Sequence, residues 1–66
     1  MMNKTLAFDM DGYELFAGDY VTSHKKLYRI NEIACEEKAN VQVLELLHVK
    51  TAKIVKRKDF EVERLN

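Results

Sequence analysis

The pair Asp11-Gly12 constrains this chain more than any other two residues, because Asp-Gly between strand-forming runs is the signature of a tight β-hairpin turn. Read as a two-residue type I′ turn, it folds Leu6 to Ala17 onto itself. Met10 then lies opposite Tyr13, Phe8 opposite Leu15 and Leu6 opposite Ala17. These six residues make one wholly apolar face, while Thr5, Ala7, Asp9, Glu14, Phe16 and Gly18 take the other. The pattern predicts an N-terminal hairpin whose larger apolar side faces a core.

Sixty-six residues make one domain, 1–66, since the chain holds no proline, repeat or low-complexity stretch that would mark a linker. A domain of this size buries only about 60% of the surface its unfolded chain exposes, which leaves little room for a catalytic pocket. The single cysteine, Cys35, has no intramolecular partner, so a reducing, cytoplasmic setting is expected. No apolar run approaches the ~20 residues needed to span a bilayer, and no basic-then-apolar leader opens the sequence, so no membrane insertion is expected.

Beyond Gly18-Asp19, Tyr20 to Ser23 reads as a short strand ended by His24, Lys25 and Lys26. Leu27 to Cys35 fits a strand if a bulge shifts the alternation between Ile30 and Ile33. The same residues, continued through Glu36 to Ala39, also fit helical spacing. A strand is the preferred reading, because Val41 to Leu47 beyond the polar Glu36 to Asn40 turn is itself a strong strand that needs neighbours. A second hairpin around Lys50-Thr51 sets Leu47 opposite Ile54, Leu46 opposite Val55 and Glu45 opposite Lys56. Both faces of that hairpin are apolar, with Val43, Leu47, Val49 and Ile54 on one and Leu44, Leu46 and Val55 on the other. Such a pair of strands belongs inside a closed barrel or at an interface. Lys58-Asp59-Phe60 reads as one tight turn into a short last strand, with Phe60 and Val62 directed at the core.

Eleven Lys and Arg balance eleven Asp and Glu, but the charges are unevenly spread. The first 23 residues hold one base, Lys4, against Asp9, Asp11, Glu14 and Asp19; Lys50 to Lys58 carries Lys50, Lys53, Lys56, Arg57 and Lys58 with no acid. This order can create a bipolar surface.

Gly18-Asp19-Tyr20-Val21 opening a strand, a central meander, and Lys58-Asp59-Phe60-Glu61-Val62 as a turn and closing strand together resemble the small SH3-like barrels of prokaryotic and phage proteins. The resemblance covers Gly18 to Arg64. It implies a mainly β fold, a small barrel of about five strands preceded by a β-hairpin, and a nucleic-acid-binding or adaptor role in a bacterial or phage-type cytoplasm. The aromatic row of polyproline-binding SH3 domains is missing, as is the glycine-containing KOW motif, so no site residue transfers by position. Small RNA-cutting toxins share this scaffold, but their chains are normally longer.

The acidic group contains Asp-x-Asp-Gly, yet an EF-hand alignment puts Ala7 at the first ligand and Gly18 at the bidentate one, so no calcium loop is expected. His24, His48 and Cys35 lack zinc-site spacing, and Cys35 beside Ile33 and Ala34 reads as a small apolar residue rather than a nucleophile. No enzyme, metal or cofactor is therefore expected. The expected nucleic-acid surface is Lys25, Lys26, Arg29, Lys53, Arg57 and Lys58 holding phosphates, with Tyr28 stacking on bases. The alternative is a protein partner or homodimer docking on Leu44, Leu46 and Val55.

Overall fold

The computed structural model describes residues 6–36 and 41–65. It is mainly β: β1 (Ala7–Phe8) and β2 (Glu14–Leu15) form a hairpin, and β3 (Tyr20–Ser23), β4 (Lys26–Glu36), β5 (Val41–His48), β6 (Ile54–Lys58) and β7 (Glu63–Arg64) form an antiparallel sheet. A single 3-10 turn, Asp59–Glu61, links β6 to β7. The sheet order is β6-β5-β4-β3-β7, and its two end strands do not pair, so the expected barrel is not closed. The expected polar turn lies, beyond Glu36, outside the described residues.

Leu27 to Cys35 is strand throughout, and the bulge falls where the apolar pattern requires it. Ile30 pairs with Leu46 but Glu32 pairs with Glu45, which leaves Asn31 as the extra residue. Without that insertion Glu32 would oppose the fully buried Leu44; with it, Ile33 does. The β5–β6 register is the expected one, including Glu45 opposite Lys56 and Leu46 opposite Val55.

The N-terminal hairpin forms in a different register. Ala7 pairs with Leu15 and Phe8 with Glu14, one residue away from the Asp-Gly reading, so the opposite face turns inward. Its loop has three residues rather than two: the Gly12 amide donates to the Asp9 carbonyl at 3.0 Å and the Asp9 amide to the Tyr13 carbonyl at 2.8 Å. Gly12 sits at φ +90°, the left-handed position that closes a type I turn with a G1 bulge. Ala7 and Leu15 thus join the core, while Leu6, Phe8, Met10 and Tyr13 are exposed.

Asp9 decides this register. Its side chain is buried, with both oxygens occupied by backbone amides: Oδ1 accepts from Asp11 (2.9 Å) and Tyr13 (2.8 Å), and Oδ2 from Arg64 on β7 (2.7 Å). Burial by itself would raise the carboxyl pKa. The amide donors, Arg64 first, outweigh it and hold the group below the ordinary carboxylate value. Two more bonds join the same parts, Met10 N–H to the Val62 carbonyl (3.0 Å) and Phe8 N–H to Asp59 Oδ2 (3.1 Å).

The core is Ala7, Leu15, Val21, Tyr28, Ile30, Leu44, Leu46 and Val62, with Ile33 and Val55 packed against it. Val62 plugs it as expected, whereas Phe60 lies on the exposed side of the 3-10 turn beneath Lys58 Nζ, 6.0 Å from the ring centre. Among the described residues, three other than glycine adopt left-handed backbone: His24 and Lys25 in the β3–β4 turn, and Ala52 in the β5–β6 loop.

Two outcomes follow from these local geometries. The Asp9 carboxylate has a lower pKa folded than unfolded (about 3.9), so its stabilisation is present above pH 4 and is lost as pH falls toward the folded value. Urea unfolding across pH 2–7 is expected to show this loss, and Asp9→Asn, which turns a donor onto the Arg64 amide, to cost about 2 kcal/mol at neutral pH and flatten the acid limb. Ala52→Gly relieves a left-handed Cβ and is expected to raise the melting temperature by roughly 4–8 °C, equivalent to about 1 kcal/mol in a domain this small.

Candidate docking face and basic end

The sheet has one covered face and one open face, and cross-strand register assigns the side chains to each. On the open face one row crosses four strands: Tyr20, Arg29, Leu47 and Ile54. Leu27 and Val49 lie next to it, joined through the Val49 amide and the Leu27 carbonyl at 3.1 Å. Tyr20, Leu27, Val49 and Ile54 are 37–50% exposed. On the other side of the row comes a charged one, Glu32, Glu45 and Lys56, where two carboxylates are neighbours before the lysine.

The β3–β4 turn and the β5–β6 loop lie at the same end of the sheet. They gather Lys25, Lys26, Lys50 and Lys53, all exposed, with Arg29 one row inward. His48 shapes this end: its Nδ1 accepts the Thr51 amide at 3.1 Å and lies 3.0 Å from Thr51 Oγ1, while its ring meets Tyr28 edge-on at 5.1 Å. The Ala52 amide closes the loop on the His48 carbonyl at 2.7 Å. The loop lysines therefore project from a hydrogen-bonded frame.

Of the expected phosphate-binding set, Lys25, Lys26, Arg29 and Lys53 are brought to this end. Arg57 and Lys58 are not, because β6 carries them toward the opposite end, with Lys58 roughly 17 Å along the strand from Lys53. Arg57 also turns to the covered face opposite Leu44, where Nη1 donates to the Lys56 carbonyl at 3.1 Å. Tyr28 is buried and has no free ring face for stacking. Tyr20, on the open face, is the exposed tyrosine of this region.

The apolar docking set is corrected in the same way. Leu44 and Leu46 are fully buried and Val55 is half-buried against them, so they form the core of the single chain. The face left open is the other one, centred on Leu47 and Ile54. The edge strand β6 is also protected from strand addition: it carries Lys56 and Lys58, the Lys56 carbonyl accepts from Arg57, and the Lys58 amide donates to Glu61 Oε1 at 2.8 Å.

The acidic residues do not assemble a metal site. Asp9 spends its oxygens on backbone amides, and Asp19 Oδ2 accepts the Phe16 amide at 2.9 Å beside Arg64 Nε at 3.8 Å. Among the described residues no three His, Cys, Asp or Glu side chains converge, and no helix is long and apolar enough to cross a membrane. Cys35 is an exposed free thiol rather than a buried apolar residue.

The two apolar faces are separable by substitution. Leu46→Glu buries a carboxylate in the core and is expected to unfold the chain, whereas Ile54→Glu on the open face is expected to leave the circular dichroism spectrum and cooperative melting intact.

Set against known protein families, curated proteins and solved structures, the chain has no match in any of the three comparisons.

Proposed function

We propose that this chain is a non-enzymatic binding module that docks a protein partner on the open face of its sheet. The row Tyr20, Arg29, Leu47 and Ile54, extended by Leu27 and Val49, carries this reading. Exposed aliphatic and tyrosine side chains around one arginine have the composition of an interface centre, and Lys25, Lys26, Lys50 and Lys53 supply a charged border. The partner is a protein surface with an apolar ridge flanked by carboxylates. The order β6-β5-β4-β3-β7, with a 3-10 turn between β6 and β7, supports an SH3-like arrangement preceded by the β1–β2 hairpin. The exposed thiol of Cys35 suits a reducing compartment, and the cytoplasm is the proposed setting.

One observation favours nucleic acid as a second reading: four lysines from two separate loops meet at one end, beside Arg29 and Tyr20. Phosphate binding by such a cluster weakens steeply with salt, whereas docking on the aliphatic row does so only weakly.

Amide-shift titrations with an amphipathic Glu/Leu peptide and with a single-stranded oligonucleotide, at low and moderate salt, distinguish the two. The expected result is that the peptide moves the amides of Tyr20, Arg29, Leu47 and Ile54 at both salt concentrations. Shifts from the oligonucleotide alone, centred on Lys25, Lys26, Lys50 and Lys53 and abolished by salt, would replace the protein-docking assignment with nucleic-acid binding.

A further inference from the structure

The register of the N-terminal hairpin creates a second apolar surface. Because Ala7, Asp9 and Leu15 turn inward, Leu6, Phe8 and Met10 line the outward side of β1 and its turn, and Phe16 continues that side across from Leu6. The 3-10 turn, tied to β1 by the Phe8 amide and the Asp59 carboxylate, adds Phe60. These five side chains are 41–55% exposed. Three phenylalanines, a leucine and a methionine form a hydrophobic patch of the kind that marks a contact surface.

The hairpin patch has acidic neighbours, and the loop end of the open sheet face is basic. Asp11, Glu14, Asp59 and Glu61 lie beside the hairpin patch, and among the described residues its neighbouring cation is Lys58, placed over the Phe60 ring. The loop end of the open sheet face carries Lys25, Lys26, Arg29, Lys50 and Lys53, while the acids of that face are Glu63, across from Thr22, and Glu32 and Glu45 beside Lys56. The hairpin packs its inward side, Ala7 and Leu15, into the core with Ile30, Leu44 and Leu46 on the covered side of the sheet.

We propose that the occupant of the open sheet face is a second copy of this chain, which inserts its Leu6, Phe8, Met10 and Phe60 patch against Tyr20, Leu27, Leu47 and Ile54. This inference rests on the protein-docking reading above and names the partner for it. The acidic neighbours of the patch on one copy meet the basic loop end of the sheet face on the next, in a contact that joins two different surfaces. Such a heterologous contact does not use itself up in a pair, since each added copy still offers one free patch and one free face. Assembly then grows with concentration, either into a ring or into an open chain, and raised salt weakens it through these charged groups.

Sedimentation velocity on the whole chain, from micromolar to millimolar concentration, tests this with two variants. Phe8→Lys places a cation in the hairpin patch, and Ile54→Glu places an acid on the sheet face; Met10→Lys and Leu27→Glu replace them if either fails to give a folded amide spectrum. The wild type is expected to increase in mass with concentration, and each variant alone to remain monomeric. An equimolar mixture of the two is expected to form a one-to-one dimer and nothing larger, because one intact surface remains on each. A monomeric wild type throughout would overturn the inference, and a peptide-induced shift at Tyr20 and Ile54 would then show that the docking face serves a different partner. Association lost in only one variant, with no dimer gained on mixing, would indicate a self-complementary contact and would equally overturn it.

Discussion

The Asp9 carboxylate is the point on which the rest of this small domain depends. With two of its acceptor bonds it fixes the turn that ends β1, and with the third it holds the backbone of β7, 55 residues away. A buried carboxylate is tolerable only when its oxygens are fully engaged, and three amide donors meet that demand. The requirement reverses the ordinary preference of the hairpin. Turning Asp9 inward forces Ala7 inward and Phe8 outward, because neighbouring residues on a strand cannot share a face. An apolar surface, Leu6, Phe8 and Met10, is therefore left in solvent by an electrostatic need.

The sheet was largely legible from the residues. The β5–β6 register follows from the turn at Lys50-Thr51 and the Glu45–Lys56 pair, the Tyr20–Ser23 strand from its strand formers, and the displacement between Ile30 and Ile33 from alternation. The hairpin register is not legible locally, for a physical reason. Asp-Gly serves both a two-residue turn and a three-residue turn with a bulge, and only the distant Arg64 amide selects between them. Closure does not follow from element order: the meander and the 3-10 turn come in the expected order, but β6 and β7 remain unpaired.

The candidate site was legible in its charges and not in its faces. Lys25, Lys26, Arg29 and Lys53 are close in the fold as well as prominent in the sequence, whereas Arg57 and Lys58 belong to a strand that runs away from them. Lys50 joins the cluster through the shape of a loop framed by His48. Leu44 and Leu47 fall on opposite faces of β5 by alternation, and nothing local says which of them is core and which faces water. Tyr20 and Tyr28 differ by the same logic. Local pattern separates two faces, but only packing against the hairpin and Val62 says which face is covered.

The three bonds joining the first hairpin to the 3-10 turn and β7 also set the order in which the chain assembles. The β3 to β6 meander closes only short loops, while each of these contacts joins groups more than fifty residues apart in sequence. Closing a loop of that length costs roughly 3.5 kcal/mol of chain entropy beyond a constant term, so these contacts are made late, after the meander has brought the ends together. What forms last opens first. The hairpin, the 3-10 turn and β7 share their anchors and so detach as one cooperative unit, taking the acidic-bordered patch with them and leaving the sheet with its basic end behind.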